Sequence, residues 1–240
     1  MSKKGTYFIY GRHAVKAALA NPRRSAIRLL VAGKADQEIT LALSGKDLKI
    51  ETASDKDLQA KLPRDAVAQG LALEVEPLRG IALADLKPGS GKNLVVALDQ
   101  VTDPHNVGAI FRSAAAFGVK AIITQDRHSP PEGGALAKAA SGALDAVPWI
   151  RVTNLSRALD DLYEMGYWRI GLEGAAGKTI SEVDMGGNLV LVLGAEGRGL
   201  RQLTAEHCDL IVKIPISGEG EIESLNVSNA AAVALYELSK

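Results

Sequence analysis

Three stretches of the chain hold side chains whose types and spacing suit chemistry on a large anionic substrate. The first, LDQVTDPHNVGAIFRSAAAFG (98–118), sets Asn106 at a helix start and Arg112 further along. On that helix Arg112 has Gly108 and Ala109 one turn before it, and Ala115 and Ala116 one turn after it. Val107, Ile110, Phe111 and Ala114 form the opposite, apolar stripe. A guanidinium in such a clearing can hold a bulky anion; an ordinary surface arginine on an alanine-rich helix fits the same pattern. The second stretch, NLVLVLGAEGRGL (188–200), runs a hydrophobic strand into Gly194, Glu196, Gly197 and Gly199, a loop whose backbone can approach a ligand closely. Its glycines read GxxGxG, not the GxGxxG of dinucleotide sites, and Glu196 argues against a phosphate cradle. The third, IPISGEGEIESLNVSNAAAVALYEL (214–238), leads from Ile214 through a Gly218/Gly220 loop to Ser224, Leu225 and Asn226 at the head of an Ala-rich helix. Ser224 or Asn226 can cap that helix, or present hydroxyl and amide groups to a ligand.

All three stretches lie where a strand hands over to a loop or helix, the edge at which doubly wound sheets bind ligands. The strands expected around them are 94–99, 121–124, 147–152, 168–173, 189–193 and 210–214. Their near-continuous Val/Ile/Leu content and the helix-length segments between them predict an α/β domain with a parallel sheet covered on both faces. Asp103-Pro104 starts the first helix and Gly118 closes it. Before this body, 10–20 and 54–62 read as helices and 27–32 and 71–76 as strands. Between 77 and 92, Pro77, Gly80, Pro88, Gly89 and Gly91 mark a linker. The expected organisation is thus a small domain over 1–76, a linker over 77–92 and an α/β body over 93–240.

The formal net charge of the 240 residues is zero, but it is unevenly spread. Residues 1–92 carry 16 basic and 10 acidic side chains, and residues 93–240 carry 12 and 18. A basic N-terminal third on an acidic body suits a polyanion met by that third, with Arg23 and Arg24 among the candidate contacts; a solvated charged face is the alternative. A single cysteine, Cys208, excludes an internal disulfide framework and agrees with a reducing cytoplasm. With four scattered histidines it also argues against a structural zinc site, and no metal is expected. No apolar run reaches the roughly 18 residues of a membrane span, and the N-terminus lacks a signal-peptide core. The Asn-x-Ser matches at Asn154 and Asn226 then arise by chance or serve another purpose.

In this order, the three stretches resemble motifs 1, 2 and 3 of the SPOUT superfamily, and within it the TrmH family of RNA ribose 2′-O-methyltransferases. DPHNVGAIFRSAAAFG resembles motif 1, LVLGAEGRGL motif 2 and IPISGEGEIESLNVSNAAAVALYE motif 3. YGRHAVKAAL and AQGLALEVE are similar to the L30e-like RNA-binding domain that precedes the catalytic domain in one branch of the family. The resemblance implies a deep trefoil knot, a homodimer, and S-adenosylmethionine bound by the knotted loops through Gly194, Ile214 and Leu225. It assigns the functional polar roles to Asn106, Arg112, Glu196, Ser224 and Asn226. Motif 3 is about two residues longer here, through GEGEIE, which bears on the placement of Ser224.

The implied reaction transfers a methyl group to a ribose 2′-hydroxyl, a poor nucleophile that must lose its proton. Apart from His105 in motif 1, no His, Lys or Cys lies in the motifs to take it. A guanidinium is a donor and not a base at neutral pH, so Arg112 is expected to clamp a phosphate and stabilise the developing alkoxide. The two-domain layout points to a guanosine of 23S rRNA as substrate, with a tRNA ribose as the alternative. A non-catalytic RNA-binding protein and a nucleotide-dependent oxidoreductase are rivals from other classes. The first leaves Arg112, Glu196 and the Ser224/Asn226 pair without a task, and the second lacks its glycine fingerprint.

Overall fold

The computed structural model describes residues 5–33, 39, 43, 47–64, 66–183, 186–217 and 224–240. In chain order the first described elements are β1 (Tyr7–Tyr10), α1 (Arg12–Ala20), β2 (Ala26–Val31), β3 (Lys49–Thr52), α2 (Asp55–Gln59) and β4 (Leu71–Val75). There follow β5 (Asn93–Leu98), α3 (Pro104–Ala116), β6 (Ala121–Gln125), α4 (Gly134–Ala140), α5 (Ala143–Ala146), β7 (Trp149–Val152) and α6 (Leu155–Glu164). The last are β8 (Tyr167–Leu172), β9 (Lys178–Thr179), β10 (Asn188–Leu193), α7 (Gln202–Glu206), β11 (Leu210–Lys213) and α8 (Val227–Ser239). Among the described residues no helix is long and apolar enough to cross a membrane.

The chain divides into two units, residues 1–79 with 131–146, and residues 80–130 with 147–240. In the first unit a mixed sheet runs β1-β4-β2-β3, with only β2 and β3 parallel. Four of the five β4 side chains are buried, Leu71, Ala72, Leu73 and Val75, as the central position between β1 and β2 requires. Helix α1 buries Ala14, Val15, Ala18 and Leu19, an i, i+1, i+4, i+5 stripe.

The expected boundaries differ from these units in two places. Residues 131–146, read as part of the C-terminal body, pack with the first unit because Arg24 draws them there. The Arg24 side chain is fully buried; its Nε bonds Asp145 at 2.8 Å and its Nη1 bonds Glu132 at 2.5 Å. Tyr7 donates to the same Glu132 at 2.6 Å, and burial beside that carboxylate pushes the phenol well above its usual range. Arg24 therefore cannot be the RNA contact that its neighbour Arg23, which is exposed, remains free to be. The second difference lies in the expected linker, which is anchored at two points: Ile81 bridges Ile150, and Leu86 is 7% exposed within the core of the second unit.

The second unit holds a seven-stranded sheet in the order β7-β6-β5-β10-β8-β11-β9, parallel throughout. All six residues of β5 and all five of β6 are buried, which is why LVVAL of β5 and AII of β6 read as apolar runs without alternation. Helix α6 buries Leu155, Ala158, Leu159 and Leu162 at helical spacing against this core. Each such leucine contributes about 1.5–3 kcal/mol. The expected strands recur within two residues of their predicted ends. Strands β1 and β3 and the two-residue β9 are additions that the sequence pattern does not mark. Asn154 and Asn226 have their use: each caps a helix, accepting from the backbone N–H of Arg157 at 3.2 Å and of Ser228 at 2.9 Å.

Candidate functional site

Within the second unit the three chemical stretches emerge at the C-terminal edge of the sheet, after β5, β10 and β11. Strand β5 ends at Leu98, and Asp103 caps α3 by accepting from the His105 N–H at 2.9 Å, with Pro104 at the first helical position. This capped start places Asn106 in the first turn. Val107, Ile110, Phe111 and Ala114 are fully buried, as the apolar stripe predicts.

The loop after β10 closes on itself. Ala195 N–H donates to Gly199 O at 3.1 Å, and Gly199 N–H donates back to Ala195 O at 3.0 Å. Gly194 sits so close to this turn that a Cβ added to it would lie 2.1 Å from the carbonyl carbon and oxygen of Gly199 and 2.4 Å from Leu200 N. Sequence reasoning reserved that space for a ligand; the loop's own backbone occupies it. The far end of the loop is braced from β5. Asp99, 1% exposed, accepts from Arg201 N at 3.1 Å and from Arg201 Nε at 2.7 Å.

From the third stretch, Asn226 caps α8 with its side-chain oxygen, which also accepts from Ser228 Oγ at 2.6 Å. Its amide nitrogen is left to point elsewhere, and donates to Asn106 Oδ1 at 3.1 Å. Asn106 Nδ2 in turn donates to Glu196 Oε2 at 3.2 Å. Asn226 Nδ2 also lies 3.5 Å from both oxygens of Glu196. One residue from each stretch thus joins a single polar chain, in which two amides fix the orientation of a carboxylate.

Beside that chain opens a cavity of about 330 Å³, a volume in the range of small-molecule and cofactor sites. Gly194, Glu196, Ile214, Ser224 and Leu225 line it, five of the eight residues expected at the site. Leu172, Leu193 and Val227 add apolar wall, and Glu173 and the backbone of the 194–199 loop add polar surface. Asn106 and Asn226 reach the site through Glu196. Arg112 does not line the cavity; it stands exposed on α3, without an ion-pair partner among the described residues. The GEGEIE stretch, 218–223, lies outside the described residues.

Sequence reasoning missed Glu173 and the Asp99–Arg201 brace. A lone Glu after a strand carries no pattern, and the brace joins positions 102 residues apart. Burial pushes the Cys208 thiol up to about 12, so it remains protonated at neutral pH and is no nucleophile there. Among the described residues no group of three or more His, Cys, Asp or Glu side chains could hold a metal ion.

Residues 93–236 match the SpoU rRNA Methylase family, and residues 8–80 match the family described as RNA 2′-O ribose methyltransferase substrate binding. The chain is 39% identical over 238 residues to the 23S rRNA (guanosine-2′-O-)-methyltransferase RlmB of Pseudomonas aeruginosa, covering 96% of this chain and 94% of the relative. The RlmB of Escherichia coli K12 is 40% identical over 236 residues, covering 95% and 96%. Among solved structures, the SpoU methyltransferase AviRb from Streptomyces viridochromogenes, in complex with the cofactor AdoMet, superposes with a TM-score of 0.83 at 22% identity. That superposition covers 98% of this chain and 90% of the other, and speaks for the fold alone.

Proposed function

The chain belongs to the SpoU rRNA methylase family, and from that premise we propose that it is an S-adenosylmethionine-dependent methyltransferase acting on the ribose 2′-hydroxyl of a guanosine in 23S rRNA. The observation that carries this reading is the Asn106–Glu196–Asn226 chain at a cavity framed by Gly194, Ile214 and Leu225. The cavity suits a nucleoside cofactor. Leu172, Leu193, Ile214, Leu225 and Val227 offer apolar walls, and the 194–199 backbone offers hydrogen-bonding groups beside them.

S-adenosylmethionine supplies a methyl group activated by a sulfonium. The chain's own residues must hold the nucleophile in line with it, since orientation of this kind can lower the barrier substantially. Glu196, oriented by two amides, and the Ser224 hydroxyl are positioned at the cavity to receive the polar groups of the incoming nucleotide. Arg112 is a donor and a permanent cation, suited to clamp a phosphate and stabilise the developing alkoxide.

The first unit is read as the L30e-like RNA-binding domain, supported by the substrate-binding match and by the basic surplus of the first 92 residues. The second is read as knotted from the motif resemblance, with which the crossing from β10 to β11 beyond β8 and the packing of α8 on α3 are compatible. A homodimer would cover the exposed Val233 and Tyr236 of α8, whose Tyr236 ring meets Phe117 at the end of α3. Arg112, Ala115 and Ala116 are exposed on that same helix. The proposed rRNA substrate and the single thiol support a cytoplasmic location.

The test incubates the purified protein with methyl-labelled S-adenosylmethionine and protein-free 23S rRNA or bulk tRNA, then digests with alkali. A 2′-O-methyl group blocks cleavage at its own linkage, so label in an alkali-resistant guanosine dinucleotide from 23S rRNA is expected. Label confined to tRNA would move the substrate, and no label in either would favour a binding protein.

A further inference from the structure

One acidic group of the cavity has no task in the reaction as described. Glu173 follows directly on β8, and its backbone N–H donates to Val212 O of β11 at 2.9 Å, which fixes its position. The residue lines the cavity, and its side chain reaches toward Gly199, which lines it too. Unlike Glu196, which two amides engage, the Glu173 carboxylate has no hydrogen-bond or ion-pair partner among the described residues. It lies against the glycine loop, where a Cβ added at Gly199 would stand 3.1 Å from its Oε1. A side chain at 199 would crowd the carboxylate, and the backbone there, at φ +65°, also favours glycine.

A half-buried carboxylate offers about four acceptor sites, and leaving them unfilled as a ligand closes the cavity is costly. The ligand must therefore bring donors. Of the other lining side chains, Leu172, Leu193, Ile214, Leu225 and Val227 supply no polarity, Glu196 is engaged by Asn106 and Asn226, and Ser224 adds a single hydroxyl. Resting on the reading of the cavity as the S-adenosylmethionine site, we propose that Glu173 is a further cofactor-binding residue, accepting hydrogen bonds from a donor group of that cofactor. Two groups have the required chemistry, the vicinal diol of the ribose and the ammonium of the amino-acid tail. Either gives the carboxylate a charge-assisted pair of bonds, and neither is served by the apolar walls.

The assignment is tested by calorimetric titration of the full-length protein, wild type, Glu173→Gln and Glu173→Ala. The ligands are S-adenosylmethionine, S-adenosylhomocysteine and 5′-methylthioadenosine, the last of which keeps the diol and lacks the ammonium. Loss of a hydrogen bond to a charged group lowers affinity about ten- to a hundredfold, so Glu173→Ala is expected to weaken S-adenosylmethionine by that amount. Glu173→Gln keeps one acceptor oxygen and is expected to fall between. If the diol is the partner, all three ligands weaken together. If the ammonium is, 5′-methylthioadenosine is unaffected while the other two weaken. Thermal melting of the free variants at the wild-type temperature shows that the fold is intact, as expected for a side chain without partners. Variants that bind all three ligands as tightly as the wild type overturn the assignment alone. A wild type that binds none of them overturns the cofactor reading, and the assignment with it.

Discussion

Replacing Gly194 by alanine adds one methyl group at the point where β10 leaves the sheet. Its Cβ would lie 2.1 Å from Gly199 C and O and 2.4 Å from Leu200 N. Carbon atoms rest at about 3.5–4.0 Å, so the turn must retreat by more than about 1 Å. It cannot do so freely, because Ala195 and Gly199 are joined by two backbone hydrogen bonds and Arg201 is held by buried Asp99. Overpacking of this kind costs about 1–3 kcal/mol in stability. The larger effect falls on binding, since Gly194, Ala195, Glu196, Gly197 and Gly199 all line the cavity and move with the turn. Gly194→Ala should therefore weaken S-adenosylmethionine at least tenfold by calorimetry, and lower the urea midpoint modestly. Gly174→Ala, at a cavity-lining glycine with nothing within 4 Å of an added Cβ, is the matched control and should leave both unchanged. A Gly194→Ala protein with wild-type affinity and midpoint would show that the loop is not packed as described.

The remaining expectations concern the substrate side and the first unit. Arg112→Ala should lower the rate of methyl transfer about 10²–10³-fold while leaving cofactor affinity nearly intact, because the side chain lies outside the cavity lining. More than a tenth of wild-type activity would remove Arg112 from the reaction. Arg24→Met should destabilise the protein by about 3–5 kcal/mol in urea denaturation, because Glu132 and Asp145 stay buried without their cation. Unchanged stability would mean that residues 131–146 are held by something else. Arg23→Glu with Arg64→Glu, both exposed, should weaken binding to 23S rRNA fragments. The slope of log affinity against log salt should also flatten, by about one for each phosphate that the two arginines no longer neutralise. Filter binding from low to moderate salt reads both effects, and an unaltered slope would make the basic surplus a solvated face.

Strands buried on both faces wrote themselves plainly into the sequence. Runs such as Asn93–Leu98 and Asn188–Leu193 have no polar side to interrupt them. The helix starts were equally clear, because Asp103-Pro104 and Asn226 cap through local bonds two residues long. Exposed or short elements were not: Lys49–Thr52 buries none of its four side chains, so its sequence carries no alternation. The site residues that belong to linear motifs were legible, and the structure joins Asn106, Glu196 and Asn226 by hydrogen bonds. What pattern reading could not reach was set by distant partners. Arg24 looked like a surface charge until Glu132 and Asp145 buried it, and Gly194 looked like room for a ligand until the Gly199 backbone filled it.

The most direct test is nucleoside mass spectrometry of 23S rRNA from a strain lacking this protein. Loss of one 2′-O-methylguanosine is expected, restored by the wild-type chain and not by Arg112→Ala. An unchanged set of 2′-O-methylated nucleosides in 23S rRNA would contradict a ribose methyltransferase acting there.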